Sequence, residues 1–138
     1  MSKNLKELID DSVNRVRDSV RENEIVLHLR HLAGQEVLVI LQDMVERKSP
    51  SAIAVATRVV NNSELAEQFF SFALAHADAQ GIKHLLEFAI AKLGSRTVIR
   101  TLSERKTDDA QLVEKALYWM PSLVRQEDAA LLEELKRQ

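Results

Sequence analysis

The sequence has no cysteine, three glycines and two prolines in 138 residues. Without cysteine the chain forms no disulfide bond, no thiolate metal site and no cysteine nucleophile. Because glycine and proline are scarce, the chain lacks the turn residues that many short strands need, and it has no glycine-rich loop of the kind that binds phosphates. These absences exclude a disulfide-stabilised fold and disfavour both a β-rich fold and a nucleotide-binding loop.

Long apolar runs and an excess of one charge are also absent. Apolar runs such as Val37–Leu41 are far shorter than the roughly 20 residues of a membrane-spanning helix. The N-terminal residues carry closely spaced charges and lack the apolar core of a secretory signal. The formal net charge of −2 disfavours a strongly basic nucleic-acid-binding protein. We therefore expect a cytoplasmic protein without a membrane segment.

Apolar residues recur at three- and four-residue steps along nearly the whole chain, which is the spacing of one face of an α-helix. Glycines at 34, 81 and 94 divide these segments, and Ser49–Pro50 and Pro121–Ser122 are typical of helix starts. The predicted connections are one to three residues long, so consecutive helices must pack as neighbours. The sequence predicts an all-α fold of about eight short antiparallel helices.

The N-terminal segment is predicted to form one long helix. Its apolar residues form a narrow stripe close to heptad spacing, and the other faces are charged: Leu5, Ile9, Val13, Val16, Val20 and Leu27. A stripe this narrow packs on one neighbour, either the rest of the chain or a second copy in a homodimer. We therefore predict an amphipathic arm over residues 1–33 and a helical domain over 34–138, within one folding unit.

Two segments of the sequence match each other. Residues 46–52 are ERKSPSA, and residues 104–110 are ERKTDDA. The similarity extends on both sides to five further pairs, Gly34 with Gly94, Leu38 with Val98, Val39 with Ile99, Leu65 with Leu123 and Gln68 with Gln126. Each copy has the order glycine, helix, ERK segment, helix, short break and helix. The pattern predicts an internal repeat of paired short helices.

Over residues 34–137 this pattern resembles that of HEAT and armadillo repeat proteins. The resemblance consists of short amphipathic helices, tight connections and small residues where helices would meet, at Ala54, Ala56, Ala73, Ala75, Ala89 and Ala91. It implies a fragment of a stacked α-solenoid. The alternative is a compact helical bundle whose two copies share only the pattern of a helix cap followed by a helix.

Candidates for metal binding or catalysis are few. His28 and His31 lie one helical turn apart, with Glu24 four residues before His28, and two imidazoles with a carboxylate can bind zinc. A second helix would have to supply further ligands, and the alternative is that both histidines lie at the surface. Paired carboxylates such as Asp108–Asp109 are explained by helix capping. We therefore predict no metal, no cofactor and no catalysis.

Basic residues concentrate between positions 92 and 106. Lys92, Arg96 and Arg100 are spaced by four, Arg105 and Lys106 follow, and Glu104 is the single acidic residue of the segment. Such a row suits an acidic protein surface or phosphate groups. The alternative is a solvated face that neutralises Glu87 and the acidic last helix.

Residues 85–107, LLEFAIAKLGSRTVIRTLSERKT, also resemble the helix-turn-helix of phage-repressor-type regulators. The resemblance lies in Ala89, Gly94, Ser95, Thr97, Val98, Arg100 and Leu102. It implies a recognition helix beginning at Ser95, with Arg96 and Arg100 reaching bases or phosphates in the major groove. That family usually has an apolar residue between the turn glycine and the serine, whereas here Gly94 directly precedes Ser95.

Tyr118 and Trp119 are adjacent, so one of the two aromatic rings must turn away from the core. Exposed aromatic residues are frequent anchors at protein interfaces, and we take Trp119 as the candidate. Together these features predict a non-catalytic protein–protein interaction module, an adaptor or regulatory scaffold. It would bind an acidic partner through Lys92, Arg96, Arg100, Arg105, Lys106 and Trp119. DNA binding through residues 85–107 is the alternative.

Overall fold

The computed structural model describes residues 4–13, 15–77 and 79–137, and within these ranges the protein is all-helical. Nine α-helices and no strand are present in this part of the chain, which confirms the all-α prediction with one helix more than the expected eight. The helices are α1 (Leu5–Val13), α2 (Ser19–Leu29), α3 (Gly34–Glu46), α4 (Ala52–Val59), α5 (Ser63–His76), α6 (Ala79–Leu93), α7 (Ser95–Arg105), α8 (Ala110–Leu123) and α9 (Ala129–Arg137), with a 3₁₀ turn at Gln126–Asp128 before α9. None of the helices so described has the length and apolar character required to cross a lipid bilayer.

The helices fall into two compact units, Met1–Phe69 and Phe70–Gln138. In the first unit α2 packs on α1 and α4, and α3 packs on α4. In the second unit α6 packs on α7 and α8, and α9 packs on α7 and α8. Residues 1–33 thus belong to the same compact unit as α3 and α4. Whether they fold as a separate arm stays a prediction.

The single long N-terminal helix predicted from the apolar stripe is wrong, because the chain forms α1 and α2 instead. The Asp18 side chain begins α2 by accepting hydrogen bonds from the backbone amides of Val20 and Arg21, at 2.8 and 3.2 Å. An aspartate in this position satisfies amide groups that a new helix leaves unpaired, so it favours a helix start over a continuous helix. This division accounts for the ninth helix.

The core of each unit consists largely of apolar faces with three- and four-residue spacing, but the predicted N-terminal stripe is an exception. Of its residues Ile9 is buried, whereas Val16, Val20 and Leu27 are exposed. In the first unit the fully buried side chains come from α1 to α5, and include Leu8, Ile25, Val26, Leu41, Met44, Val55 and Phe69. In the second unit they come from α5, α6, α7 and α8, and include Leu74, Ile82, Leu85, Leu86, Leu102, Val113 and Met120. Burial of a large aliphatic side chain contributes about 1.5–3 kcal/mol, so these faces dominate the stability of both units.

Three expected helix boundaries differ from the structure. Gly81, predicted to end a helix, lies inside α6. Gly34, at the predicted C-terminal end of a helix, is the first residue of α3, and a Cβ atom at this position would lie only 3.1 Å from the Leu65 side chain. Pro121, predicted to begin the last helix, lies in the last turn of α8. In that turn the Ser122 hydroxyl donates a hydrogen bond to the Trp119 carbonyl at 2.9 Å. The last helix begins only at Ala129.

The two ERK segments both lie at a helix end, but their backbones differ. Lys48 has a φ of 59°, and after it the Ser49 amide donates to the Met44 carbonyl while the Lys48 amide donates to the Val45 carbonyl. This is the Schellman arrangement, in which glycine is the preferred residue at the left-handed position. Lys106, the equivalent of Lys48, is right-handed with φ −61° and ψ −34°. The similarity of the two sequences therefore does not extend to this turn.

Glycine substitution at these two lysines should have opposite effects. At Lys48 it removes left-handed strain of about 1–2 kcal/mol against an entropic cost of about 0.5–1 kcal/mol, so we expect a stabilisation of up to about 1 kcal/mol. At Lys106 nothing offsets the entropic cost, and the substitution also removes the hydrogen bond from Lys106 Nζ to the Leu135 carbonyl. Lys106→Gly should therefore destabilise by at least about 1 kcal/mol. Urea unfolding of both variants measures the difference. An equal loss of stability at the two positions would contradict the left-handed backbone at Lys48 and the right-handed backbone at Lys106.

Candidate functional site

The predicted basic segment lies on α6, Gly94 and α7. Helix α7 buries Ser95, Val98, Ile99 and Leu102, so Arg96 and Arg100 lie together on its opposite, exposed side. Gly94 alone connects α6 to α7, with a φ of 88° and a ψ of 156°, a conformation that is essentially restricted to glycine. We call the exposed surface formed by Arg96 and Arg100 the α7 basic face.

Arg96 is held in place by an acidic residue from outside its own helix. Its Nε atom donates to Asp128 Oδ1 at 3.2 Å. The Asp128 side chain is only 8% exposed, whereas the Arg96 side chain is 78% exposed. Among the described residues Arg96 makes no hydrogen bond through its two terminal nitrogens. The carboxylate therefore fixes the guanidinium through one edge and leaves the edge with both terminal nitrogens accessible.

Arg125 adds a third positive charge near the start of α7. Its backbone amide lies 3.5 Å from the Ser95 hydroxyl, which places it next to the N-terminal turn that carries Arg96. The Arg125 side chain is exposed and lies 3.8 Å from Glu127, a long separation for an ion pair at the surface. Exposed pairs of this kind hold a side chain weakly, so Arg125 can reorient towards a ligand.

The other predicted basic residues are placed differently from the α7 basic face. Arg105 donates through Nη2 to the Ser71 carbonyl at 2.9 Å, and Lys106 donates through Nζ to the Leu135 carbonyl at 2.6 Å. Both side chains are half-buried, and Leu135 lies in the last turns of α9, where unpaired carbonyls favour a cation. Lys92 is half-buried near the end of α6. The predicted row is therefore divided: Arg96 and Arg100 point outward, Arg105 and Lys106 contact the backbone, and Lys92 is half-buried.

Of the two adjacent aromatic residues, Tyr118 is the exposed one. Its side chain is 77% exposed, whereas Trp119 is half-buried. The two rings meet edge to face with centroids 4.9 Å apart, and Lys83 Nζ lies 5.3 Å from the Trp119 centroid, within the range of a cation–π contact. Tyr118 also lines a shallow depression on α8 with Gln111, Glu114 and Lys115. The sequence predicts one outward ring, with Trp119 as the candidate, whereas the structure exposes Tyr118.

The histidines considered as metal ligands are both exposed. His28 lies in the last turn of α2, and His31 lies beyond its end. No group of three or more histidine, aspartate or glutamate side chains placed to bind a metal ion occurs in the described ranges. The structure therefore brings no further ligands to this pair within those ranges.

A buried polar cluster in the first unit has no counterpart in the sequence analysis. Glu22 accepts two hydrogen bonds from Arg17, at 2.9 and 3.0 Å, and one from the Ser51 hydroxyl at 2.8 Å. Ser49 continues the cluster, since its hydroxyl accepts from the Ser51 amide at 3.3 Å and lies 2.7 Å from the Ser12 hydroxyl. The cluster connects α1, α2 and the segment before α4. Arg17 and Glu22 are five residues apart, a spacing that does not indicate a helical pair.

The chemistry of this cluster favours a structural role. The hydrogen bonds from Arg17 lower the pKa of Glu22 below its ordinary value, with a further contribution from Ser51. A carboxylate stabilised in its charged form is a weaker proton acceptor, whereas general bases usually have a raised pKa. Each buried hydroxyl of the cluster has a partner. We therefore assign the cluster to stabilising the junction of α1, α2 and α4.

Comparison of the chain with protein-family models, with curated proteins and with solved structures found no match. The function is accordingly inferred from the geometry of the residues described above.

Replacing Glu22 should lower stability and change its pH dependence. Glu22→Gln removes a charge-assisted interaction, and we expect a loss of about 1–3 kcal/mol at neutral pH. Because the pKa of Glu22 is lowered on folding, its contribution is present above the unfolded pKa of about 4.3 and is lost as the pH falls through the folded value. The variant should therefore lose less stability than the native protein between neutral and acidic pH.

Urea unfolding at a series of pH values measures this difference. Glu36→Gln, at an exposed position in α3, serves as the matched control, because it makes the same chemical change at the surface. A Glu22→Gln protein with native stability and a native pH profile would show that the cluster contributes nothing.

Proposed function

We propose that this protein is a non-catalytic interaction module that binds an acidic segment of a partner protein through the α7 basic face. The observation that carries the proposal is the anchored guanidinium of Arg96. Asp128 holds its Nε edge at 3.2 Å, while the edge with two terminal nitrogens is accessible. A guanidinium edge of this kind forms paired hydrogen bonds with a carboxylate.

Anchoring matters because it lowers the entropic cost of binding. A free surface arginine loses much of its rotamer freedom when it forms an ion pair, which is one reason why exposed pairs contribute little. Asp128 is nearly buried, so its carboxylate is a fixed support for Arg96. Arg100 one turn further along α7 and Arg125 beside the first turn extend the positive surface. A partner with several carboxylates could therefore bind them together.

The geometry favours a protein partner over DNA. In helix-turn-helix proteins a turn of three to four residues sets the second helix at a steep angle to the first. Here Gly94 is the only residue between α6 and α7, so the connection is shorter than that motif uses. Arg105 and Lys106, which a recognition helix could direct to phosphates, contact backbone carbonyls of their own unit.

Removing the positive charges of the α7 basic face should weaken the binding of an acidic peptide. We expect Arg96→Ala combined with Arg100→Ala to weaken the affinity for a dye-labelled polyglutamate peptide by about three- to tenfold, since each exposed ion pair contributes about 0.2–1 kcal/mol. Fluorescence anisotropy at low salt measures the affinity. Arg15→Ala combined with Arg30→Ala, two exposed arginines of the first unit, makes the same charge change and should have little effect.

Stability must be measured in parallel, because Arg96 also pairs with the nearly buried Asp128. Arg100→Ala alone leaves that pair intact and should still give part of the loss of affinity. Equal weakening by the two double variants would contradict the proposal. Tight binding of random duplex DNA by the native protein without binding of polyglutamate would favour the DNA alternative.

A further inference from the structure

The turn that precedes α9 is bonded to the first two residues of α7. The Ser95 hydroxyl accepts a hydrogen bond from the Arg125 backbone amide at 3.5 Å, and Asp128 accepts one from Arg96 at 3.2 Å. Within the turn the Asp128 amide donates to the Arg125 carbonyl at 2.9 Å. Ser95 and Asp128 are both buried. The Asp128 carboxylate is therefore fixed by its own backbone and by its surroundings as well as by Arg96.

Asp128 also lies in the first turn of the helical segment that begins at Gln126 and continues as α9. The start of a helix favours a negative charge, because its first backbone amides have no partner within the helix. Burying a carboxylate is otherwise costly, since it removes water from a charged group. The helix start therefore supports the charge of Asp128 in addition to Arg96.

Asp128 has two opposing effects on an acidic ligand at Arg96. Its charge repels a ligand carboxylate. Exposed charges in direct contact change an affinity by about fivefold at most, and a ligand on the far edge of the guanidinium does not contact Asp128, so this repulsion is weaker still. Its hydrogen bond, however, orders the Arg96 side chain before the ligand arrives. Ordering a free side chain on binding weakens an affinity by about two- to tenfold, so the favourable effect is the larger one.

We propose that Asp128 is a positioning residue of the α7 basic face: although acidic itself, it strengthens the binding of an acidic partner by holding Arg96. This inference rests on the proposed function, since it concerns the same ligand at the same surface. Glu127, the neighbouring acid, lacks this role, because its side chain is 72% exposed and lies 3.8 Å from Arg125. The two adjacent carboxylates should therefore affect the affinity differently.

Alanine substitutions at the two acids test the proposal. We expect Asp128→Ala to weaken the binding of a dye-labelled polyglutamate peptide by about two- to threefold, and Glu127→Ala to leave it unchanged or strengthen it by up to about twofold. Repulsion alone predicts that both substitutions strengthen binding, because each removes one negative charge. Fluorescence anisotropy at about 0.1 M salt measures the affinities, since through-space repulsion is then partly screened. The same change in both variants, in either direction, overturns the proposal.

A double-mutant cycle separates positioning from a general disturbance of the turn. If Asp128 acts through Arg96, then Asp128→Ala in an Arg96→Ala background should no longer weaken binding. Equal weakening in both backgrounds would show a structural role and overturn the proposal. Asp128→Asn retains a side-chain oxygen that can accept from Arg96 Nε, so it should bind at least as tightly as the native protein. Circular dichroism shows whether each variant is folded.

A measurement on the native protein needs no variant. The NMR signal of the Arg96 Nε–H group should persist, protected from exchange with water, when saturating polyglutamate is added, because the ligand uses the opposite edge of the guanidinium. Loss of this protection on addition of the peptide would show that the ligand displaces Asp128, and would overturn the proposal even if Asp128→Ala does not fold.

This inference and the proposed function fail in different ways. A native protein that does not bind polyglutamate, or that binds it equally well after Arg96→Ala and Arg100→Ala, overturns both. Binding that depends on Arg96 but is unchanged or strengthened by Asp128→Ala overturns the role of Asp128 alone.

Discussion

Burial of one face of each short helix is the constraint on which the rest of this structure depends. Helices of 8 to 15 residues are marginal in isolation, so α1 to α9 are stable because their apolar faces pack on neighbouring helices. The same packing decides which polar side chains are accessible. Helix α7 buries Val98, Ile99 and Leu102, and this burial directs Arg96 and Arg100 outward. The candidate binding surface is therefore a consequence of how the core is built.

The environment of each charged group separates structural residues from those available to a ligand. Lys106 and Arg105 donate to backbone carbonyls, and Glu22 is neutralised by Arg17, so binding a partner would require these contacts to break. Arg96 differs because its contact with Asp128 uses one edge of the guanidinium and leaves the other accessible. A contact that fixes a side chain without occupying its remaining donors prepares it for binding, whereas a contact that uses them does not.

The sequence predicts most of the helices and much of the core, because three- and four-residue spacing usually reports burial. The N-terminal stripe is the exception, since Val16, Val20 and Leu27 are exposed. It predicts the ends of helices and the polar contacts less well. Asp18 begins α2 within a continuous apolar stripe, and the stripe carries no sign of that interruption. Arg96 pairs with Asp128, which lies 32 residues away, and no local pattern relates such positions. The orientation of Tyr118 relative to Trp119 likewise depends on tertiary packing of α8.

The same limit explains why α2 is hard to interpret from sequence. A helix with apolar residues on two sides gives a stripe that is compatible with packing inside the chain and with packing on a second copy. The structure shows that Ile25, Val26 and Leu29 pack inside the chain, whereas Val20 and Leu27 are exposed and take no part in the core. Because the core of the first unit does not need Val20 and Leu27, their apolar character is left without an internal explanation.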